Sequence, residues 1–423
     1  MELLIYFAVF ALGCLVGGQL NRGIYRLAWH RRLISPWSAP HPDAPARRWT
    51  DRIPVIGWLG LRRESPIHGP WFWVRPMLIE LVLGVGWAVL YWWEVDRAGL
   101  MPARVPVQLD PWVLHAQYWG HVLLVSLMVV ATFIDFDEKT IPDAITVPGT
   151  LAGLVLMALW PAAAPPVVEP AGPGMIRVGH LLLTSPLGWP PWLDGLGGLA
   201  LGTACFAAWC LAIWPKTVTR RRGLIKAIQY MLASMVRYPT WPLIALVLVS
   251  GCAGIALVWT SGAPRWPSLL SALVGMAFGG GLIWVVRIVG GGALGKEAMG
   301  FGDVTLMAMI GTYVGWQAAL MIFFLAPFVA VFVCLTQWLI TRRRDIAFGP
   351  YLCGAALIMI LGWSPIWENH AKEVFRLGWL IPQLLFFCLI LLAGMLRLWR
   401  ITESALLGDH MDIPTDDSDL SAQ

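Results

Sequence analysis

Two aspartates stand at the edges of long apolar runs. Asp135 follows the run Val122–Ile134 and opens the stretch Asp135-Phe136-Asp137-Glu138-Lys139-Thr140-Ile141-Pro142-Asp143. Asp303 ends Gly300-Phe301-Gly302-Asp303, just before the apolar run that begins at Val304. Ionisable groups at membrane depth are rare and are the first place to look for chemistry. Two carboxylates at similar depth can share one proton and divide the hydrolysis of an amide. The ionised one takes a proton from water as the water attacks the carbonyl carbon; the protonated one donates to the carbonyl oxygen and later to the leaving nitrogen. Gly300 and Gly302 would let the backbone take conformations closed to other residues and let a substrate strand come close. A second reading of the spacing stays open. An acidic residue at a span end also serves as a helix N-cap, and Asp303 is placed for that role; Asp135, Asp137 and Glu138 would then be ordinary interfacial charges.

The elements that must carry these residues are membrane spans. Of 423 residues, 58% are hydrophobic and 13% charged, and the mean hydropathy is +0.68. A soluble domain carries about twice that charged share, so disorder, a collagen-like chain and an ordinary soluble enzyme are excluded. The 26 Trp suit a chain with many membrane–water interfaces. The expected fold is an all-α polytopic membrane bundle of roughly eleven transmembrane helices, with a small cytoplasmic subdomain in the first loop. The candidate spans lie near 2–20, 77–93, 119–135, 144–161, 195–214, 241–260, 269–288, 303–317, 318–340, 346–363 and 379–396. The seven cysteines form no C-x-x-C pair and read as small core hydrophobes.

Basic residues alternate along the connections. Ten arginines follow the first span, from Arg22 to Arg75; Lys216 to Arg237 follow the fifth, Arg342–Arg344 the ninth, and Arg397 and Arg400 the last. The intervening connections hold few. The positive-inside rule then puts the N-terminus outside and the C-terminus in the cytoplasm. Asp135 ends an inward-going span and Asp303 begins an outward-going one, so both lie at the cytoplasmic face. The chain divides into a first span (1–20), a basic Pro-rich cytoplasmic loop (21–76), a membrane region with Asp135 (77–160) and an external Pro/Gly-rich loop (161–194). Extra spans with a basic loop (195–268), a membrane region with Asp303 (269–400) and a disordered cytoplasmic tail (401–423) complete it. The run Arg220–Arg222 reads as a topology signal beside anionic lipid, and no nucleic-acid partner is expected.

Asp135 with six residues before Pro142-Asp143, and Gly300-Phe301-Gly302-Asp303 far downstream, resemble the two active-site motifs of the prepilin peptidases (type IV leader peptidases), membrane aspartic proteases of the G-x-G-D class. Further blocks in order are similar to that family: Gly17-Gly18-Gln19-Leu20-Asn21 with Tyr25-Arg26-Leu27, Asp51-Arg52-Ile53-Pro54-Val55, Arg75-Pro76 through Glu80, Gly295 through Val304, and Ala347-Phe348-Gly349-Pro350. The resemblance implies a multi-pass enzyme of the plasma (inner) membrane. It would cut the basic leader from type IV prepilins or type II secretion pseudopilins at the cytoplasmic face. Asp135 and Asp303 would be the catalytic pair, facing each other across a cleft open to the cytoplasm, with Gly300, Gly302, Asp143, Lys296 and Glu297 in support. Many such enzymes also methylate the new N-terminus with S-adenosylmethionine; proteolysis itself needs no cofactor. The ten arginines of the first loop would repel a basic leader, so Asp137, Glu138, Asp143 and Glu297 are the acidic candidates for its recognition. The expected partners are the prepilin or pseudopilin and membrane lipid. Two other readings are a G-x-G-D protease with a different membrane substrate and, less favoured, a transporter that uses the acidic pair; no internal repeat of spans supports the transporter.

Two departures from the family's pattern stand out. Where many members carry two C-x-x-C knuckles for zinc, this chain reads Ser35-Pro36-Trp37-Ser38 and Ser65-Pro66-Ile67-His68. Serine is not a usual zinc ligand and one histidine cannot complete a tetrahedral site, so zinc is not expected. Residues 161–194 and 215–265 read as insertions.

Overall fold

The structure is a computed structural model that describes residues 2–32, 34–102, 109–172, 175–214, 229–230, 233–235, 237–295, 299–341 and 347–407. In hydrocarbon every backbone N–H and C=O must find its partner within its own segment, so the apolar runs become helices. They are α1 (Glu2–Leu27), α2 (Val74–Tyr91), α3 (Pro111–Glu138), α4 (Asp143–Leu159), α5 (Leu196–Ile213), α6 (Trp241–Ser261), α7 (Arg265–Leu294), α8 (Phe301–Thr341), α9 (Gly349–Leu361) and α10 (Leu380–Leu407). The protein is an all-α polytopic membrane bundle. Among the described residues, 8 helices are long and apolar enough to cross a membrane, or 9 if α9 and Trp363–Phe375, bent by 85°, form one span. The expected eleven are not reached by this measure. Helix α4 is shorter than a full span, and the two spans expected at 303–317 and 318–340 are two helices joined without a loop as α8, which enters this measure once.

That run is not straight. Gly315 breaks it with φ 78° and ψ 168°, a conformation that favours glycine. Beyond the break, Cys334 Sγ lies 3.4 Å from the Tyr351 hydroxyl, two residues past the Gly349 that touches Asp135. A straight helix from Asp303 to Cys334 would be about 46 Å long. The chain therefore turns at Gly315 and returns toward the face it left.

Small residues set how closely the helices pack, as expected where lipid tails offer no hydrophobic drive. A Cβ on Gly275 of α7 would fall on the Gly311 carbonyl of α8 and lie 3.0 Å from Gly315 Cα. One on Gly13 of α1 would lie 2.8 Å from Gly84 Cα of α2. The main core lies among α3, α8 and α9, where Leu124, Met128, Ile310, Tyr313 and Leu352 are buried.

The segment expected as an external loop is ordered. Strands β1 (Pro166–Gly172) and β2 (Met175–His180) form an antiparallel hairpin, an addition to the all-α expectation. It lies over the helix ends away from the aspartates. Trp363 Nε1 donates to the Pro166 carbonyl at 2.7 Å, and Glu368 accepts from the Val168 N–H at 2.9 Å. The buried Gln317 amide, next to the break, donates to the Leu182 and Ser185 carbonyls at 2.8 and 3.1 Å. The tail from 408 and the run Arg220–Arg222 lie outside the described residues.

Glycine at 275 is required by backbone contact, whereas a Cβ on Gly281 of the same helix meets nothing within 4 Å. Gly275→Leu is expected to destabilise the bundle by about 3 kcal/mol or more, seen as lost monodisperse protein on size exclusion in detergent. Gly281→Leu is expected to behave as wild type.

Candidate active site

Asp135 stands on the last turn of α3 and Asp303 on the first turn of α8. They are 5% and 7% exposed and near enough for their charges to act on each other. Each carboxylate is held by the backbone N–H of a glycine. Gly349, at the start of α9, donates to Asp135 Oδ2 at 3.1 Å, and Gly300 donates to the Asp303 carboxylate. Charge-assisted bonds of this kind are among the stronger ones and fix the orientation of the acceptor.

The local sequence explains the convergence. Helix α3 stops at Lys139, whose left-handed backbone (φ 57°) returns its N–H to the Asp135 carbonyl. The chain then turns through Thr140 to Pro142 and lays Ile141 against the G-x-G-D turn. A Cβ on Gly302 would lie 2.9 Å from Ile141 Cβ. A Cβ on Gly349 would lie 2.7 Å from Asp135 Oδ2 and 2.8 Å from Ile141 Cδ1. Ile141 is thus a wedge that the two glycines accommodate from either side. Neither Gly300 nor Gly302 uses a positive φ, so the expected conformational freedom gives way to close approach as the use of Gly302.

The other expected residues separate in space. Asp143 heads α4, beside Thr305 of α8, whose hydroxyl donates to the Gly302 carbonyl at 3.1 Å. Asp137 receives Arg75 Nη1 at 2.9 Å on both oxygens, and that guanidinium lies over the Phe133 ring. Glu138 accepts from the Trp29 N–H, and from the His30 N–H at 2.8 Å. It therefore ties the start of the first loop to α3. Lys296 and Glu297 lie outside the described residues. Two residues carry more than the sequence reading assigned them. Gly349 was visible only as part of the Phe-Gly-Pro block. Arg287, an isolated charge in the apolar run of α7, donates Nε to the Met299 carbonyl at 2.9 Å and sits over the Phe301 ring, 5.8 Å from its centroid. It braces the turn that presents Asp303. The expected cleft is closed in this conformation: with both carboxylates buried, water and a peptide reach them only after a local opening.

The first loop builds a second polar centre. Glu80, 2% exposed, accepts from Trp58 Nε1 at 2.8 Å, the Val55 N–H at 2.6 Å and Asn21 Nδ2 at 3.1 Å. Arg47 pairs with buried Glu64 through two 3.1 Å bonds and donates at 2.6 Å to both the Ser35 and Ser38 carbonyls. His68 Nε2 lies 3.5 Å from Glu64. The two segments that stand at the knuckle positions are therefore joined around a guanidinium. One imidazole, one already paired carboxylate and serine hydroxyls do not fit zinc. Arg63 pairs with Asp51, and its guanidinium holds the Asp51 carboxyl below the usual carboxylate range. Between this loop and α1 is a cavity of about 250 Å³, lined in part by Gly18, Trp37, Asp51, Arg52, Trp58 and Glu80.

Comparison with known proteins gives partial matches to one family. Residues 239–335 match the type IV leader peptidase family; the match includes Asp303 and stops short of Asp135. The chain is 29% identical over 241 residues to a prepilin leader peptidase/N-methyltransferase of Myxococcus xanthus, covering 57% of this chain and 58% of that protein. A protein of the same name from Aeromonas hydrophila is 34% identical over 97 residues, covering 22% of this chain and 32% of its own length. One from Pseudomonas aeruginosa is 32% identical over 108 residues, covering 25% and 37%. The chain thus spans less than two thirds of the length of these relatives. No solved structure gives a significant match.

Two outcomes are expected. Gly349→Ala places a methyl group against the Asp135 carboxylate and should displace it, with a fall in turnover of about 10²-fold and little change in the thermal midpoint. Asp51 is depressed in the folded state, so its stabilisation is complete above the unfolded value of about 3.9 and is lost as pH falls through the lower folded value. Protease resistance of the first loop should hold from pH 7 to about 5 and drop below about 4, and Asp51→Asn should remove that acid dependence.

Proposed function

We propose that the chain is a membrane aspartic endopeptidase that removes the leader from a prepilin or pseudopilin at the cytoplasmic face and then methylates the new N-terminus. The observation that carries this reading is the convergence of Asp135 and Asp303 from separate helices, each carboxylate oriented by a glycine N–H. In the opened site one carboxylate is ionised and removes a proton from water as it attacks the scissile carbonyl. The other is protonated and donates to the carbonyl oxygen. As the tetrahedral intermediate collapses, a proton passes to the leaving nitrogen and the pair regains its shared proton. Burial excludes bulk water until the substrate strand is seated. The reading also takes the protein as a multi-pass resident of the inner membrane, N-terminus outside and C-terminus cytoplasmic, in contact with lipid.

The first-loop cavity suits the methyl donor. Glu80, with no cation in ion-pair reach among the described residues, offers negative charge to a sulfonium cation, Arg52 offers a partner for a carboxylate, and Trp37 offers a surface for a base. A Cβ on Gly18 would lie 3.4 Å from Glu80 Oε1 and 3.8 Å from Trp37 Nε1 and would fill part of this cradle. S-adenosylmethionine bound there would supply an electrophilic methyl group to the freed α-amine. Glu138, three residues from Asp135, holds the loop at the peptidase face, which keeps the two centres on one side of the membrane.

The test is cleavage of a prepilin-type substrate in membranes that contain the full chain. Asp135→Asn and Asp303→Asn should each lower the rate by about 10²- to 10⁴-fold; a wild-type rate in either overturns the two-aspartate mechanism. Mass spectrometry of the mature N-terminus reads methylation in the same samples.

A further inference from the structure

We infer that Asp143 is the specificity-determining residue of this site, reading a cationic side chain of the substrate beside the scissile bond. The inference rests on the peptidase reading of Asp135 and Asp303. It starts from the charges around the pair. Of the acidic groups in the stretch 135–143, Asp137 is neutralised by Arg75. Glu138 is occupied by the Trp29 and His30 N–H groups and by the His30 ring. Asp143 is exposed at the head of α4, and among the described residues no cation stands within ion-pair reach of it. Lys139, at the other end of the same turn, acts on Asp135 instead.

Position turns this free charge into a reader. Thr305, two residues past Asp303 on α8, neighbours the Asp143 carboxylate and donates its hydroxyl to the Gly302 carbonyl. Ile141, two residues before Asp143, fills the space between Gly302 and Gly349. The carboxylate therefore stands beside both halves of the site and is open to solvent. An uncompensated carboxylate so placed attracts a positive substrate group and repels a negative one, and it discriminates by charge rather than by shape. An acidic residue in the first turn of a helix also favours the helix dipole. That role alone is indifferent to substrate charge, so the two can be separated.

The experiment is a charge swap with the purified full chain in lipid–detergent micelles. Its substrates are a prepilin-type protein and the same protein with the leader's basic residue nearest the scissile bond changed to Glu. Asp143→Asn, which keeps the side-chain shape and removes the charge, should raise KM about fivefold to tenfold with kcat unchanged. Asp143→Lys should be poor on the natural substrate and recover on the Glu-bearing one, on which the wild type is poor. Thermal midpoints for each variant identify any that fail to fold, and recovery by Asp143→Lys can come only from folded protein. An unchanged KM in Asp143→Asn, a fall in kcat alone, or no recovery in the swap overturns the inference. If the wild type cleaves neither substrate, the peptidase reading itself fails; if it cleaves and the swap is absent, only the role of Asp143 falls.

Discussion

Holding two carboxylates together in a dry space is the constraint on which the rest of the bundle depends. Like charges repel, and removal from water penalises each ionised form. The structure meets this with backbone donors, and among the described residues no cation is ion-paired with either carboxylate. The N–H groups of Gly349 and Gly300 reach Asp135 and Asp303, and the first depends on a backbone approach that a side chain would obstruct. That requirement propagates outward. Helix α9 must start where α3 ends, and the 139–142 turn must bring Ile141 between them. Helix α8 must leave the same face and be braced by Arg287 through Met299. The fold-back at Gly315 then returns the chain to the level of Tyr351, so α9 can begin beside Asp135.

A different solution serves the first loop. Its carboxylates are also buried, yet they are paired with arginines or fully hydrogen-bonded. Glu80 accepts from three elements at once, Trp58, Val55 and Asn21, and so joins the loop to α1 and α2. Arg47 closes the segments around residues 35–38 onto Glu64. Removing one partner of a buried pair leaves an uncompensated charge, which is strongly destabilising. The loop is consequently organised by a few polar contacts, with Trp58 and Leu61 packed beneath them.

Much of this was legible in the residues. The apolar runs marked the helices, and the two acidic residues at their edges marked the candidate site, because charges are scarce enough at membrane depth to stand out. The order of the hairpin at 166–180 was not legible. Its Pro and Gly content reads as loop, whereas its structure comes from tertiary bonds to Trp363, Glu368 and Gln317, distant in sequence. The reversal between the two spans expected after Asp303 was legible, but with little polar sequence between them its form, a break at Gly315 without a loop, was not. Gly349 was visible as a motif, but its role depends on a contact with Asp135 that spacing cannot encode. The acidic residues from 137 to 143 looked alike; which of them is neutralised is decided by Arg75, Trp29 and His30, each 62 or more residues earlier in the chain.

The Arg47–Glu64 pair has a consequence for supply. A loop clasped by a guanidinium and a carboxylate takes that clasp from the polypeptide itself. With serines at the knuckle positions, no thiol there needs to be kept reduced. The staple is supplied by translation rather than by the redox state of its surroundings.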